Sequence, residues 1–162
     1  MERFSIYAFD NLSEEKYLET WKLDNKTFEP KDKLTKKRAL ELFYSSNKST
    51  IVLWDNEKDC LVGYFSPYLV THKYASDYII SNQTYQQALQ KTVFATPGPN
   101  VTADIYIFSS VIAPQYRDAK MPVDKTSQFY NKSAFKILNE AFVDWICDIK
   151  KKGVSINYVF SE

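Results

Sequence analysis

The sequence predicts an α/β (α+β) domain with one sheet flanked by helices, and three stretches carry that prediction. Thr50-Ile-Val-Leu-Trp54 and Cys60-Leu-Val-Gly-Tyr-Phe65 are apolar runs separated by the polar turn Asp55-Asn-Glu-Lys-Asp59, the pattern of an antiparallel hairpin. Asp104-Ile-Tyr-Ile-Phe-Ser-Ser-Val-Ile112 is a near-continuous apolar run of strand length, as expected of a central strand covered on both faces. From Ser133 to Lys152 the apolar residues recur at helical spacing: Phe135, Leu138, Phe142, Trp145 and Ile149 form one stripe, widened by Ala134, Ile137, Ala141 and Ile146.

The remaining elements fall in order around these. Phe4 to Phe9 alternates and predicts a first strand, turned by Asp10-Asn11. Ser13 caps a helix running to about Leu23, with Glu14 and Glu15 in the first turn where the helix dipole favours acids. Phe28-Glu29-Pro30 breaks it, and Thr35 caps a second helix on which Leu34, Arg38, Leu42 and Ala39, Phe43 keep helical spacing. Gly63, inside the second hairpin strand, marks a bulge or a close backbone approach. His72 to Asn100 is expected to be an insertion over one end of the sheet, with Asn82-Gln-Thr84 capping a short helix through Gln90 and Thr96-Pro-Gly-Pro-Asn100 forming a loop. Ala113 to Thr126 is an irregular connection. Lys150-Lys151-Lys152 and Gly153 close the long helix, and Val154, Ile156, Tyr158 and Phe160 alternate as a last strand.

Composition bounds the function. With 162 residues, 44% hydrophobic and 25% charged, the chain fits one domain with a real core. A net charge of +1 provides no global field for nucleic acid or an anionic membrane. The aromatic residues sit mostly at core-spaced positions without a basic stripe between them, so no nucleic-acid partner is expected. No stretch reaches the roughly 18 apolar residues of a membrane span, and the start carries no signal-peptide pattern, so the expected location is cytoplasmic. Cys60 and Cys147 share no ligand-like spacing; two buried free thiols are expected, with no metal site. His72, the single histidine, stands in a polar, surface-like context with no marked partner.

The order of elements, together with two motifs, resembles the GNAT acyl-CoA N-acyltransferases. Leu61-Val-Gly-Tyr-Phe65 resembles their third strand. Tyr106-Ile-Phe-Ser-Ser-Val-Ile-Ala-Pro-Gln-Tyr-Arg117 resembles their fourth strand running into the acetyl-CoA loop. The resemblance covers nearly the whole chain. It implies a mixed, mostly antiparallel central sheet flanked by helices in a single domain, 1–162, that lacks the usual final helix and hairpin. It also implies transfer of an acetyl group from acetyl-CoA to an amine of a small molecule or a protein. Ser109, Ser110, Val111 and Ile112 would line the pantetheine arm, and Arg117 and Lys120 would meet the pyrophosphate. The family loop is rich in glycine, which lets backbone N–H groups approach phosphate. Here Asp118-Ala-Lys-Met-Pro-Val-Asp-Lys-Thr126 has none, so cofactor binding is expected to be weak or lost.

The family's acid, a tyrosine on the helix after the fifth strand, has no counterpart before Glu162. Asp104, Tyr106 and Ser110 are the candidates placed to serve a substrate amine. The alternative implied by the degenerate loop is an inactive GNAT-like domain acting as a binding or regulatory module. The last strand is uncharged from Val154 to Phe160, so a second copy or a partner chain is expected to cover its edge.

Overall fold

The computed structural model describes residues 2–30, 33–46, 48–81, 94–117 and 120–161, with residues 77–81 described by their backbone alone. The chain forms β1 (Phe4–Ala8), a 3-10 turn (Phe9–Asn11), α1 (Glu14–Thr27), α2 (Lys36–Ser45), β2 (Ile51–Asp55) and β3 (Cys60–Thr71). It continues through α3 (His72–Ser81), β4 (Thr102–Ile112), a 3-10 turn (Pro114–Tyr116), α4 (Ala134–Lys151) and β5 (Ser155–Ser161). The strands lie in one sheet in chain order, antiparallel from β1 to β4, with β5 parallel to β4. This is the mixed, mostly antiparallel sheet with flanking helices that the sequence predicts.

The helices start where side-chain caps take the first free N–H groups: Ser13, Thr35 and Ser133 accept from Lys16, Arg38 and Lys136. α4 packs its apolar stripe on one face of the sheet, where Leu138, Phe142, Trp145 and Ile149 meet Leu53, Phe65, Ile105 and Ala103. On the other face α1 and α2 bring Tyr17, Ala39 and Phe43 against Val52, Trp54, Tyr64 and Val111. Gly153 closes α4 at φ +88, a conformation that side chains with a Cβ avoid.

Three bulges steer β3, β4 and β5. Val62 is the extra residue against β2, beside Gly63, and a Cβ on Gly63 would lie 2.7 Å from Ile112 Cδ1 and 2.9 Å from the Val111 carbonyl. Gly63 thus serves both a bulge and a close approach. Phe108 is the extra residue of β4 between the pairs Ser66↔Ser109 and Pro67↔Ile107. In β5, Asn157 and Tyr158 together face Asp104.

Several expectations change. α1 continues to Thr27, a turn beyond Leu23. β3 continues to Thr71 although it contains Pro67, because its pairing with β2 ends at Phe65 and the proline stands at the bulge against β4. Phe135 is exposed at the margin of the buried face, beside the fully buried Ala134, Ile137 and Leu138, while Trp145 is buried and stacks on Phe142. Cys147 is exposed and Cys60 half-buried, so neither free thiol is a core residue. The helix expected from Asn82 to Gln90 lies outside the described residues; the stretch before it, His72–Ser81, is helical.

Candidate functional site

β4 gathers the polar chemistry of the fold. Its pairing with β5 runs from Thr102 to Ile107, whereas its pairing with β3 continues to Ile112. Among the described residues, Ser109 to Ile112, beyond the bulge, are therefore paired in the sheet on one side only. The bulge also keeps Ser109 and Val111 on the α1–α2 side, the side that Asp104 and Tyr106 face.

Two polar clusters occupy that side. The first joins three elements: Asp24 from α1, Tyr64 from β3 and Ser109 from β4. Tyr64 donates to Asp24 Oδ1, Ser109 donates to the same oxygen at 3.1 Å, and the two hydroxyl oxygens lie 2.6 Å apart. Burial pushes the Asp24 carboxyl up to about 6, against the opposing pull of the hydrogen bonds from Tyr64 and Ser109. Burial and the neighbouring Asp24 charge hold the Tyr64 phenol well above its ordinary value, so it stays protonated at neutral pH. The arrangement is a carboxyl group that exchanges its proton near neutrality, linked to two hydroxyls at the point where β4 leaves β5.

The second cluster lies toward the start of β4. Asp104 is fully buried, and its two oxygens are divided: Oδ1 accepts the N–H of Tyr158 at 2.8 Å and Oδ2 pairs with His72 Nδ1 at 2.8 Å. His72 is 47% exposed in its side chain and lies against the Tyr158 ring, the two planes 14° apart and their centroids 6.1 Å apart. The histidine that lacked a marked partner in the sequence has one here.

The connection after β4 is held from inside. Tyr116 is buried and donates to Asp55 Oδ2 at 2.8 Å; Asp55, fully buried, also takes Arg3 at 3.1 Å and the N–H groups of Glu57 and Lys58. Burial alone would raise the Asp55 carboxyl, but the hydrogen bonds from Arg3 and Tyr116 outweigh it and hold the group below its usual range. Arg117 is exposed and gives its Nε–H to the Ile112 carbonyl at 2.9 Å. Lys120 bridges to Ser133, the cap of α4, and its Nζ donates to Asn131. The intervening residues 121–132 thus form an excursion whose two ends meet at the N-terminus of α4.

The structure places the sequence-predicted residues unequally. Ser109, Ser110, Val111 and Ile112 all lie on the half-paired part of β4, but the Ser109 hydroxyl is turned to Asp24 and Tyr64 while Ser110 is exposed. Tyr106 is buried in an aromatic group with Tyr68, Tyr74, Phe108 and Phe160. Asp104 is engaged by His72 and Tyr158. Asp24 and Tyr64 were not singled out from the sequence. A signal existed for Asp24: it sits seven residues after the buried Tyr17, on a core-spaced position near a helix C-terminus, where the dipole disfavours an acid.

A solved structure of similar fold is that of an acetyltransferase from Trypanosoma brucei, with a TM-score of 0.50 and 14% identity over 98% of this chain and 82% of that chain. The likeness is one of fold, and the fold is acetyltransferase-like. No family model matches the sequence, and no curated protein matches it. Among the described residues no helix is long and apolar enough to cross a membrane, and no group of three or more His, Cys, Asp or Glu is placed to hold a metal ion.

Proposed function

We propose that this chain is a GNAT-type N-acyltransferase that moves an acetyl group from acetyl-CoA to an amine. The observation that carries the reading is the Asp24–Tyr64–Ser109 cluster at the bulge of β4, where the strand loses its partner on one side. A strand with free backbone groups is suited to hydrogen-bond the amides of a pantetheine arm, and the backbone of Ser110 and the N–H of Ile112 would hold it there. The pyrophosphate would meet the terminal guanidinium nitrogens of Arg117 and the ammonium of Lys120. When bound, acetyl-CoA supplies the activated acyl carbon. Asp24, near neutral in its proton affinity, suits proton exchange at the reacting groups through the Ser109 and Tyr64 hydroxyls.

One observation favours the second reading, a binding or regulatory module without chemistry. The Nε of Arg117 is spent on the Ile112 carbonyl, and Lys120 donates to Asn131, so the loop satisfies itself. One experiment separates the two. The chain is titrated with acetyl-CoA by calorimetry, and CoA release is followed with primary amines present. Binding with release supports the transferase, and Asp24→Asn should then retain binding while losing turnover. Binding without release in the parent supports the module.

A further inference from the structure

We infer that His72, oriented by Asp104, is a catalytic residue of the proposed transfer: the base that takes the proton of the acceptor ammonium. The inference rests on the acyltransferase reading and adds a group outside the Asp24 cluster. Three observations carry it.

The first is the division of Asp104. A fully buried carboxylate in the middle of a sheet is costly unless its oxygens are matched. One oxygen is committed to the β5 bulge through the Tyr158 N–H, and the other faces His72 Nδ1. Because an ionised carboxylate only accepts, the neutral imidazole must carry its proton on Nδ1, which leaves the lone pair on Nε2.

The second is exposure. The histidine side chain remains 47% accessible while its orienting carboxylate is wholly enclosed. Stacking on Tyr158 fixes the ring plane.

The third is place. Asp104 precedes Ile107, the last residue of β4 paired to β5, by three positions, about 10 Å along a strand. It faces the α1–α2 side, as does the Asp24 cluster. His72 therefore stands on the side of the sheet where that cluster lies, but displaced toward the start of β4, away from the loop that would hold the phosphates. The described titratable groups against it are Asp104 from β4 and Tyr158 from β5; Lys73 follows it on α3 and has a contact of its own.

The step balances without a further reagent. His72 Nε2 removes one proton from the acceptor ammonium, directly or through water, and becomes an imidazolium paired with Asp104. The free amine attacks the thioester carbon: the C–N bond forms, the C–S bond breaks, and the second amine proton leaves with the CoA sulfur as a thiol. The exposed imidazolium then returns its proton to solvent.

The test compares the parent with His72→Gln and Asp104→Asn, using acetyl-CoA with spermidine, tyramine and a lysine-containing peptide as acceptors. Because His72 is the sole histidine, ring nitrogen-15 spectra report its tautomer directly. The parent should show the proton on Nδ1. Asp104→Asn should move it to Nε2, because an amide nitrogen now faces Nδ1. His72→Gln should bind acetyl-CoA as the parent does, lose the acid limb of the pH profile, and slow turnover by roughly 10²-fold or more. Asp104→Asn should slow it comparably. A parent with its proton on Nε2, or a His72→Gln variant with parental rate and pH profile, overturns the assignment and leaves the transferase reading standing. A parent that releases no CoA with any of the three amines overturns both.

Discussion

Tyr64 on β3 hydrogen-bonds Asp24 on α1 across 40 residues of sequence, and the same oxygen of Asp24 receives Ser109 of β4. One carboxyl group therefore ties a helix to two strands at the place where the sheet changes its pairing. Its folded-state proton affinity, near pH 6 because of burial, lies above that of an unfolded aspartate.

The sign of the consequence follows. A group that binds its proton more tightly in the folded state stabilises the fold while protonated, and the benefit disappears as pH rises through the folded value. Stability should decline from about pH 4 to about pH 6, by on the order of 1–3 kcal/mol, and then level. Asp24→Asn should flatten that decline. Urea denaturation across this pH range checks it, and equal slopes in parent and variant would remove Asp24 from the account.

Asp55 gives the opposite sign. Its carboxyl is held below the usual range, so its contribution is present above the unfolded aspartate value and is lost as pH falls through the folded one. Tyr116→Phe removes one of its donors and should cost about 1–3 kcal/mol at neutral pH. It should also shift the onset of acid unfolding upward. An unchanged acid transition would mean that Arg3 and the turn amides alone hold the carboxylate.

Trp145 tests the other face of the sheet. It is buried and stacks on both Phe142 and Phe9. Trp145→Ala should cost about 3–5 kcal/mol. Phe135→Ala, from the same helical stripe but exposed, should change the denaturation midpoint little. A reversed ranking would mean that α4 packs in a different rotation.

The elements were legible because each is local. Caps at Ser13, Thr35 and Ser133, the period of α4 and the alternation of β5 are all written within a few residues of where they act. The site was not legible in the same way. Asp24, Tyr64 and Ser109 meet only after the sheet register is set, and that register turns on a bulge at Phe108 that no turn residue announces. His72 and Asp104 lie 32 residues apart, on either side of the segment His72 to Asn100. Besides the core-spaced Asp24, Asp104 carried a usable hint: a charge inside an apolar run that forms a central strand must find a partner, and the sole histidine was available.

Arg117 is the arginine of the connection after β4, and charge-assisted bonds to phosphate are strong. Arg117→Ala should weaken acetyl-CoA binding by about 1–3 kcal/mol. Calorimetry measures this directly. Equal affinity in variant and parent would place the pyrophosphate elsewhere and leave Arg117 with its bond to the Ile112 carbonyl.

The outer edge of β5 leads to the last prediction. β5 pairs with β4 on one side, and Tyr158 and Val159 are 55% and 49% exposed. From Val154 to Phe160 there is no charge and no proline, so neither of these two devices blunts the edge against another strand. A second copy offers the same uncharged edge in antiparallel orientation, and joining the two would extend one sheet across a two-fold axis. The chain is expected to be dimeric in light scattering at high micromolar concentration. Val159→Lys should return it to a monomer without unfolding it, since the added charge lies on an already exposed position. A parent that scatters as a monomer at that concentration overturns the edge as an interface between copies, and a dimer that survives Val159→Lys places the interface elsewhere.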